Sequence, residues 1–150
     1  MNPSEVRKQI LAEHERLRAR LRDIEATVQH AAAGDVGAAA TIRRQLGELL
    51  AALRSHVRAE EAALVPALAA TDAWGPERAA QIQADHVTQL RVLASWDRAV
   101  GDDGMPMDEL AARLRQFAGQ LWADMEAEER DLLHPDLLRD DVVTIGQSSS

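Results

Sequence analysis

The sequence predicts an all-α protein, folded as an up-down-up-down antiparallel four-helix bundle. Apolar residues recur at steps of three and four along four long segments, which is the spacing of one face of an α-helix. Short stretches rich in Gly, Pro and Asp separate the segments, and short connections make consecutive helices antiparallel neighbours. Almost no stretch alternates as a β-strand would. The helices are expected at about residues 4–32, 36–70, 76–100 and 107–134.

Residues that cap or break helices mark each predicted connection. Gly34 and Gly37 separate the first two helices, and residues 71–76 end the second helix and start the third with a proline, which a first helical turn tolerates. Residues 101–106 combine glycine, aspartate and proline before the last helix. Pro66 falls near the end of the second helix, which it is expected to kink or loosen.

The bulk composition limits the classes of function. A chain of 150 residues with 46% hydrophobic residues predicts one domain, the bundle at residues 1–138, followed by a tail at 139–150. The net charge of −8 disfavours nucleic acid as a partner. The sequence shows neither a long apolar run nor an export leader, so we expect a cytoplasmic protein without membrane contact. Because cysteine is absent, any bound metal must have nitrogen and oxygen ligands.

Six ligand-type side chains occupy positions on the apolar faces of the four predicted helices. In chain order they are His14, His56, Glu60, His86, Asp124 and Glu128. The first and third helices contribute one histidine each, and the second and last contribute two groups one turn apart. His14 and His86 near the starts of their helices, and Glu60 and Glu128 near the ends of theirs, fall roughly two to three turns from the same end of the predicted bundle. Buried carboxylates without a partner are costly, so this pattern predicts a bound cation.

Other interpretations of these residues stay open. His56 and Glu60 could form a buried pair closed by hydrogen bonds, without any metal. Glu61 and Glu129 lie about 100° round their helices from the apolar face, as surface groups or as groups that support the ligands. Glu13 is expected to be solvated rather than to orient a histidine ring.

The ordered set of residues resembles the hemerythrin-like (HHE cation-binding) domain family over residues 5 to about 138. The resemblance is carried by His14 in AEHERL, by His56 and Glu60 in HVRAEEAALVP, by His86 in ADHV and by Glu128 in EAEERDLL. It implies a non-haem di-iron centre inside a four-helix bundle, with two Fe per chain in an oxo-bridged pair, or Mn or Zn instead. Glu60 and Glu128 would be bridging carboxylates and the histidines terminal ligands. The ligand would be O2, peroxide or NO, in a protein that senses or detoxifies it.

Asp124 departs from the family pattern, which has a histidine at the corresponding position. Aspartate can bind iron, manganese or zinc, but it adds negative charge, which favours ferric iron and disfavours reversible oxygen binding. A ferroxidase- or catalase-type oxidoreductase is therefore an alternative function. A third possibility is a metal-free helical interaction module that retains the polar residues as a hydrogen-bond network.

The segment after Pro135 is expected to be a short packed stretch followed by a frayed tail, and its apolar patch could instead be a docking peptide. Val142, Val143 and Ile145 follow the last helix, and the VTIG stretch resembles the cargo tails of encapsulin shells. The sequence thus offers a protein partner or an encapsulin shell as a second kind of partner, beside the small-molecule ligand.

Overall fold

The computed structural model describes residues 1–34, 36–101 and 104–141, and these are all-helical, as predicted. The helices are α1 (Pro3–Ala32), α2 (Ala38–Ala59), α3 (Val65–Ala69), α4 (Gly75–Val100) and α5 (Met107–Asp131), with a π-helical turn (Glu60–Leu64) between α2 and α3. Because α2, the π turn and α3 follow one another without a break, the described residues form four long helices. No strand occurs among the described residues, and none of their helices is long and apolar enough to span a bilayer.

The start of α1 is fixed by local hydrogen bonds and by a contact with the far end of the chain. Asn2 and Glu5 form a capping box, in which each side chain accepts a hydrogen bond from the backbone N–H of the other. Ser4 donates its backbone N–H and its hydroxyl to Asp140, at 2.9 and 2.8 Å. The segment that follows α5 is therefore attached to the first turn of α1. Residues 142–150, which include the predicted docking patch, lie outside the described residues.

Pro66 explains the π-helical turn. A proline in a helix lacks the N–H that would bind the carbonyl of Ala62, and its ring crowds that carbonyl. The helix widens instead, so that the N–H of Val65 donates to the carbonyl of Glu60, five residues earlier. The prediction that Pro66 loosens the second helix is thus confirmed, and the widened turn begins at Glu60, one of the six ligand-type residues.

Two apolar clusters form the core, and a layer of polar residues separates them along every long helix. The larger cluster contains Leu17 to Val28 of α1, Ile42 to Leu53 of α2, and apolar residues of α4 and α5. The smaller cluster contains Val6, Ile10, Leu64, Leu68, Ile82, Leu133 and Leu138. Between these clusters lie His14, His56, Glu60, His86 and Glu128, which we call the polar layer.

Gly75 at the start of α4 provides a test of the packing. A Cβ atom at this position would lie 2.3 Å from the carbonyl oxygen of Leu68 and 2.8 Å from that of Ala69. We expect Gly75→Ala to lower the free energy of unfolding by about 1–3 kcal/mol, because backbone must move to make room. Urea denaturation would measure this change.

Gly119 is the matched control, since a Cβ atom there meets nothing within 4 Å. Gly119→Ala should raise the free energy of unfolding by roughly 0.5–1 kcal/mol, because alanine is the better helix former. Equal stability of the two variants would contradict the close approach of α4 to the end of α3.

Candidate metal centre

Four side chains of the polar layer converge inside the bundle. His14, His56, Glu60 and Glu128 present one potential ligand atom each, and these atoms all lie within 4.8 Å of one another. Nε2 of His56 is 2.5 Å from Oε1 of Glu60, and Nε2 of His14 is 3.1 Å from Oε1 of Glu128. The two histidine rings stand 5.0 Å apart between their centroids. Three nearby helices therefore direct imidazole and carboxylate groups to one point.

His86 borders this group from α4. Its Nε2 lies 3.8 Å from Oε1 of Glu60, and the residue is 2% exposed. Glu60 consequently faces histidines from two sides, His56 on its own long helix and His86 on α4.

Asp124 takes a different position. It lines a cavity of about 500 Å³ flanked by α4 and α5, whose walls also include His86 and Glu128. Its Oδ1 accepts a hydrogen bond of 2.8 Å from the side-chain amide of Gln120. Asp124 thus faces the cavity beside the polar layer and is outside the group of four converging residues.

Each histidine of the polar layer turns its Nδ1 atom toward a carboxylate on another helix. The pairs are His14 with Glu129 at 2.7 Å, His86 with Glu61 at 2.6 Å, and His56 with Glu13 at 3.5 Å. An ionised carboxylate only accepts hydrogen bonds, so the two short contacts place a hydrogen on Nδ1 and leave Nε2 to face the centre. Metal-binding histidines almost always have such a partner.

These contacts decide between interpretations that the sequence left open. Glu61 and Glu129 contact histidine rings rather than only solvent. The expectation that Glu13 is solvated is wrong, because its side chain is 17% exposed and approaches His56. The sequence signal for all three is adjacency, since each carboxylate is next to a polar-layer residue in the chain. One step along a helix turns it about 100°, toward the neighbouring helix.

The centre contains buried polar atoms that lack a hydrogen-bond partner among the described residues. They include Nε2 of His14 and Oε1 of Glu128, which face each other as two acceptors when the His14 hydrogen is on Nδ1. Nε2 of His86 and Oε2 of Glu60 also lack a partner, as do Nδ1 of His56 and Oε2 of Glu13. Buried polar atoms are rarely left unpaired, because each such atom costs free energy. A metal ion would bind to the lone pairs of these imidazole nitrogens and carboxylate oxygens. Iron, manganese and zinc all accept such a mixed set of nitrogen and oxygen ligands. The residues present therefore fit a cation.

Burial and mutual contact change the protonation of these groups. Burial alone lowers the pKa of His56, but the carboxylates of Glu13 and Glu60 outweigh it and raise this pKa to about 10. Burial, together with the negative charge of Glu60, raises the pKa of Glu128 to about 7. Burial opposes ionisation of Glu60, yet its histidine neighbours hold the pKa of this carboxyl well below its usual value. Without a metal, protons supply the positive charge in this layer.

This charge pattern predicts how the metal-free protein responds to pH. The stabilisation from protonated His56 is complete below its ordinary pKa of about 6.5 and is lost as pH rises through about 10. The stabilisation from the neutral carboxyl group of Glu128 is complete below about pH 4.5 and is lost as the pH rises through about 7. The stabilisation from Glu60 is lost only in acid, as pH falls below 4.5. The melting temperature in excess chelator should therefore fall by several degrees from about pH 5.5 to about pH 10.

The variant His56→Gln should lose the part of this decrease above neutral pH. A melting temperature of the wild-type protein that rises with pH over the same range would contradict the electrostatic account.

Comparison with known proteins agrees with the geometry. The sequence model of the hemerythrin HHE cation binding domain matches residues 6–135. Neither the curated proteins nor the solved structures gave a match to the chain. The family match covers most of the sequence and includes every residue of the polar layer. The resemblance noted in the sequence is thereby confirmed, and the chain belongs to the hemerythrin HHE cation-binding domain family.

Proposed function

We propose that this protein holds a non-haem di-iron centre and binds or reacts with O2, peroxide or NO, as a sensor or a detoxifier of these molecules. The observation that carries the proposal is the convergence of unpartnered imidazole nitrogens and carboxylate oxygens at one level of an otherwise apolar core. Membership of a cation-binding family supports it. Bound iron would supply positive charge and a coordination position for an oxygen species.

The proposed ligands are the six side chains predicted from the sequence. They are His14, His56, Glu60, His86, Asp124 and Glu128. Glu60 is suited to a bridging role, because one of its oxygens is close to Nε2 of both His56 and His86. Among the described histidines, Oε1 of Glu128 is close to Nε2 of His14 only, and its bridging role follows from the family resemblance. Mn or Zn would be accepted by the same nitrogen and oxygen atoms.

The cavity beside the polar layer supports a small-molecule ligand. Its volume of about 500 Å³ far exceeds that of a diatomic molecule or peroxide, and its walls reach His86 and Glu128. Leu53, Ile82 and Phe117 are among the apolar residues that line it. A dissolved gas or peroxide could therefore approach the centre from between α4 and α5.

The up-down-up-down direction of the four long helices is part of the same proposal. The smaller apolar cluster draws residues from the start of α1 and α4, from the end of the second long helix, and from the segment after α5. Helices that alternate in direction bring these parts of the chain to one end of a bundle. The cytoplasmic location remains a prediction from the sequence. So does docking of residues 142–150 to a protein partner or an encapsulin shell.

The carboxylate-rich ligand set favours a second function, an oxidoreductase of catalase or ferroxidase type. Three carboxylates accompany three histidines in the proposed set, which favours ferric over ferrous iron. Two contacts support a metal-free interaction module. Nδ1 of His14 is paired with Glu129 and Nδ1 of His86 with Glu61, so these two nitrogens have hydrogen-bond partners without a metal. The unpartnered atoms at the centre favour a bound metal over that module.

Peroxide distinguishes these functions in one experiment. Iron-loaded protein should change its absorption spectrum when peroxide is added. Continued oxygen release would identify a catalase-type oxidoreductase, and continued oxidation of added ferrous iron would identify a ferroxidase. Glu128→Gln should weaken the response at least about tenfold, because it removes a negatively charged ligand. Glu126→Gln is the control, since it removes the same charge from an exposed position two residues away. A wild-type protein that retains no iron, or that does not respond, would contradict the proposal.

Asp124 is tested by metal stoichiometry. If Asp124 is a ligand, Asp124→Ala should lower the iron content from about two per chain toward about one, whereas Asp124→His should keep it and shift the spectrum toward hemerythrin-type oxygen binding. Asp85→Ala is the control, because Asp85 lines the same cavity from α4. Unchanged metal content in Asp124→Ala would show that this residue does not coordinate the metal.

A further inference from the structure

The three carboxylates that approach Nδ1 of the polar-layer histidines differ in the other side chains that they contact. Behind His14, both oxygens of Glu129 are close to Nη2 of Arg18, Oε1 at 3.0 Å and Oε2 at 2.8 Å. Behind His86, Glu61 has a weaker second partner, the amide of Gln83 at 3.4 Å. Among the described residues, Arg18 is the only arginine or lysine that forms an ion pair with a carboxylate contacting the polar-layer histidines.

Arg18 is held in place by contacts on several sides. The residue is 8% exposed although it carries a permanent charge. Its guanidinium also donates to Glu15 at 2.9 Å, and it stacks over the ring of Trp122 at 5.3 Å from the ring centroid. Arg18 follows His14 by four residues, so both side chains project from the same face of α1. The position of the guanidinium relative to the His14 ring is thus fixed by one helix.

We propose that Arg18 and Glu129 form a positioning pair that holds the His14 ring with Nδ1–H toward Glu129 and Nε2 toward the metal. The inference rests on the proposed metal-binding function. Glu129 orients the ring through its hydrogen bond. Arg18 fixes Glu129 and neutralises its charge, which otherwise would add to the carboxylates of Glu60 and Glu128 nearby. Neither Arg18 nor Glu129 touches the metal in this account.

The pair also makes the two sides of the centre different. The carboxylate behind His14 is neutralised by a buried guanidinium, whereas Glu61 behind His86 has a side chain 37% exposed and no cationic partner among the described residues. A carboxylate with full charge increases the electron donation of a histidine ligand more than a neutralised one. His86 should therefore be the more strongly donating ligand, and His14 the more rigidly oriented one.

The test uses the full chain, with and without Zn²⁺ as a diamagnetic probe. Nitrogen-15 NMR of the metal-free protein should show His14 with its hydrogen on Nδ1 and a slowly exchanging Nδ1 proton. In Arg18→Met and Glu129→Gln this proton should exchange faster, and the Zn²⁺ affinity should fall by about 10- to 100-fold. Arg18→Lys should recover part of the affinity, because lysine restores the charge but not the planar guanidinium that contacts Glu129 and Glu15 through two nitrogens.

Arg22→Met is the matched control. Arg22 stacks over the same Trp122 ring, at 5.8 Å from its centroid, and it forms no ion pair with Glu129. Its substitution should leave the His14 proton and the Zn²⁺ affinity unchanged within about twofold. If Arg22→Met has the same effect as Arg18→Met, packing on Trp122 rather than positioning would explain the result.

The proposed metal-binding function and the positioning pair can fail separately. A wild-type protein that binds neither Zn²⁺ nor Fe²⁺ would contradict the proposed function, and the metal-free spectra would still decide the positioning of His14. A wild-type protein that binds metal, with an unchanged His14 proton and unchanged affinity in Arg18→Met and Glu129→Gln, would overturn the positioning pair.

Discussion

Burying charged side chains at one level of a helical core requires that each charge find a partner, and most of this structure reflects that constraint. Two apolar clusters flank the polar layer along the helices, so the neighbouring core residues cannot supply the missing interactions. His14 and His86 obtain partners for Nδ1 from carboxylates on neighbouring helices. Several atoms that face the centre, among them Nε2 of His14 and of His86, remain unpartnered among the described residues, and a cation is the partner that would satisfy them together.

The same constraint connects the helices. Glu129 on α5 contacts His14 on α1, and Glu61 in the π turn contacts His86 on α4. Each contact joins two helices at the level of the site, so the packing of the bundle and the orientation of the ligands are coupled. The widened turn produced by Pro66 begins at Glu60, where one carboxylate faces histidines on two sides. The widening of the helix at Glu60 and the position of the Glu60 carboxylate between two histidines are therefore linked.

Much of this arrangement could be predicted from the sequence, because helical spacing determines which side chains share a face. That spacing predicted the four long helices and assigned His14, His56 and Glu60 to the interior, where all three are buried. It could not decide the role of Glu13, since a residue one step from the apolar face can point to solvent or to a neighbouring helix. It also gave no sign of Arg18 as a buried residue, because the partner of its guanidinium is 111 residues away in the chain.

The central claim is that the polar layer holds iron, and elemental analysis with an absorption spectrum tests it most directly. The protein would be purified without chelators and, in parallel, reconstituted with ferrous iron. The account predicts about two irons per chain, with near-ultraviolet bands of an oxo-bridged ferric pair. Little or no bound metal after reconstitution would contradict it, and would indicate a polar layer closed by protons and hydrogen bonds alone.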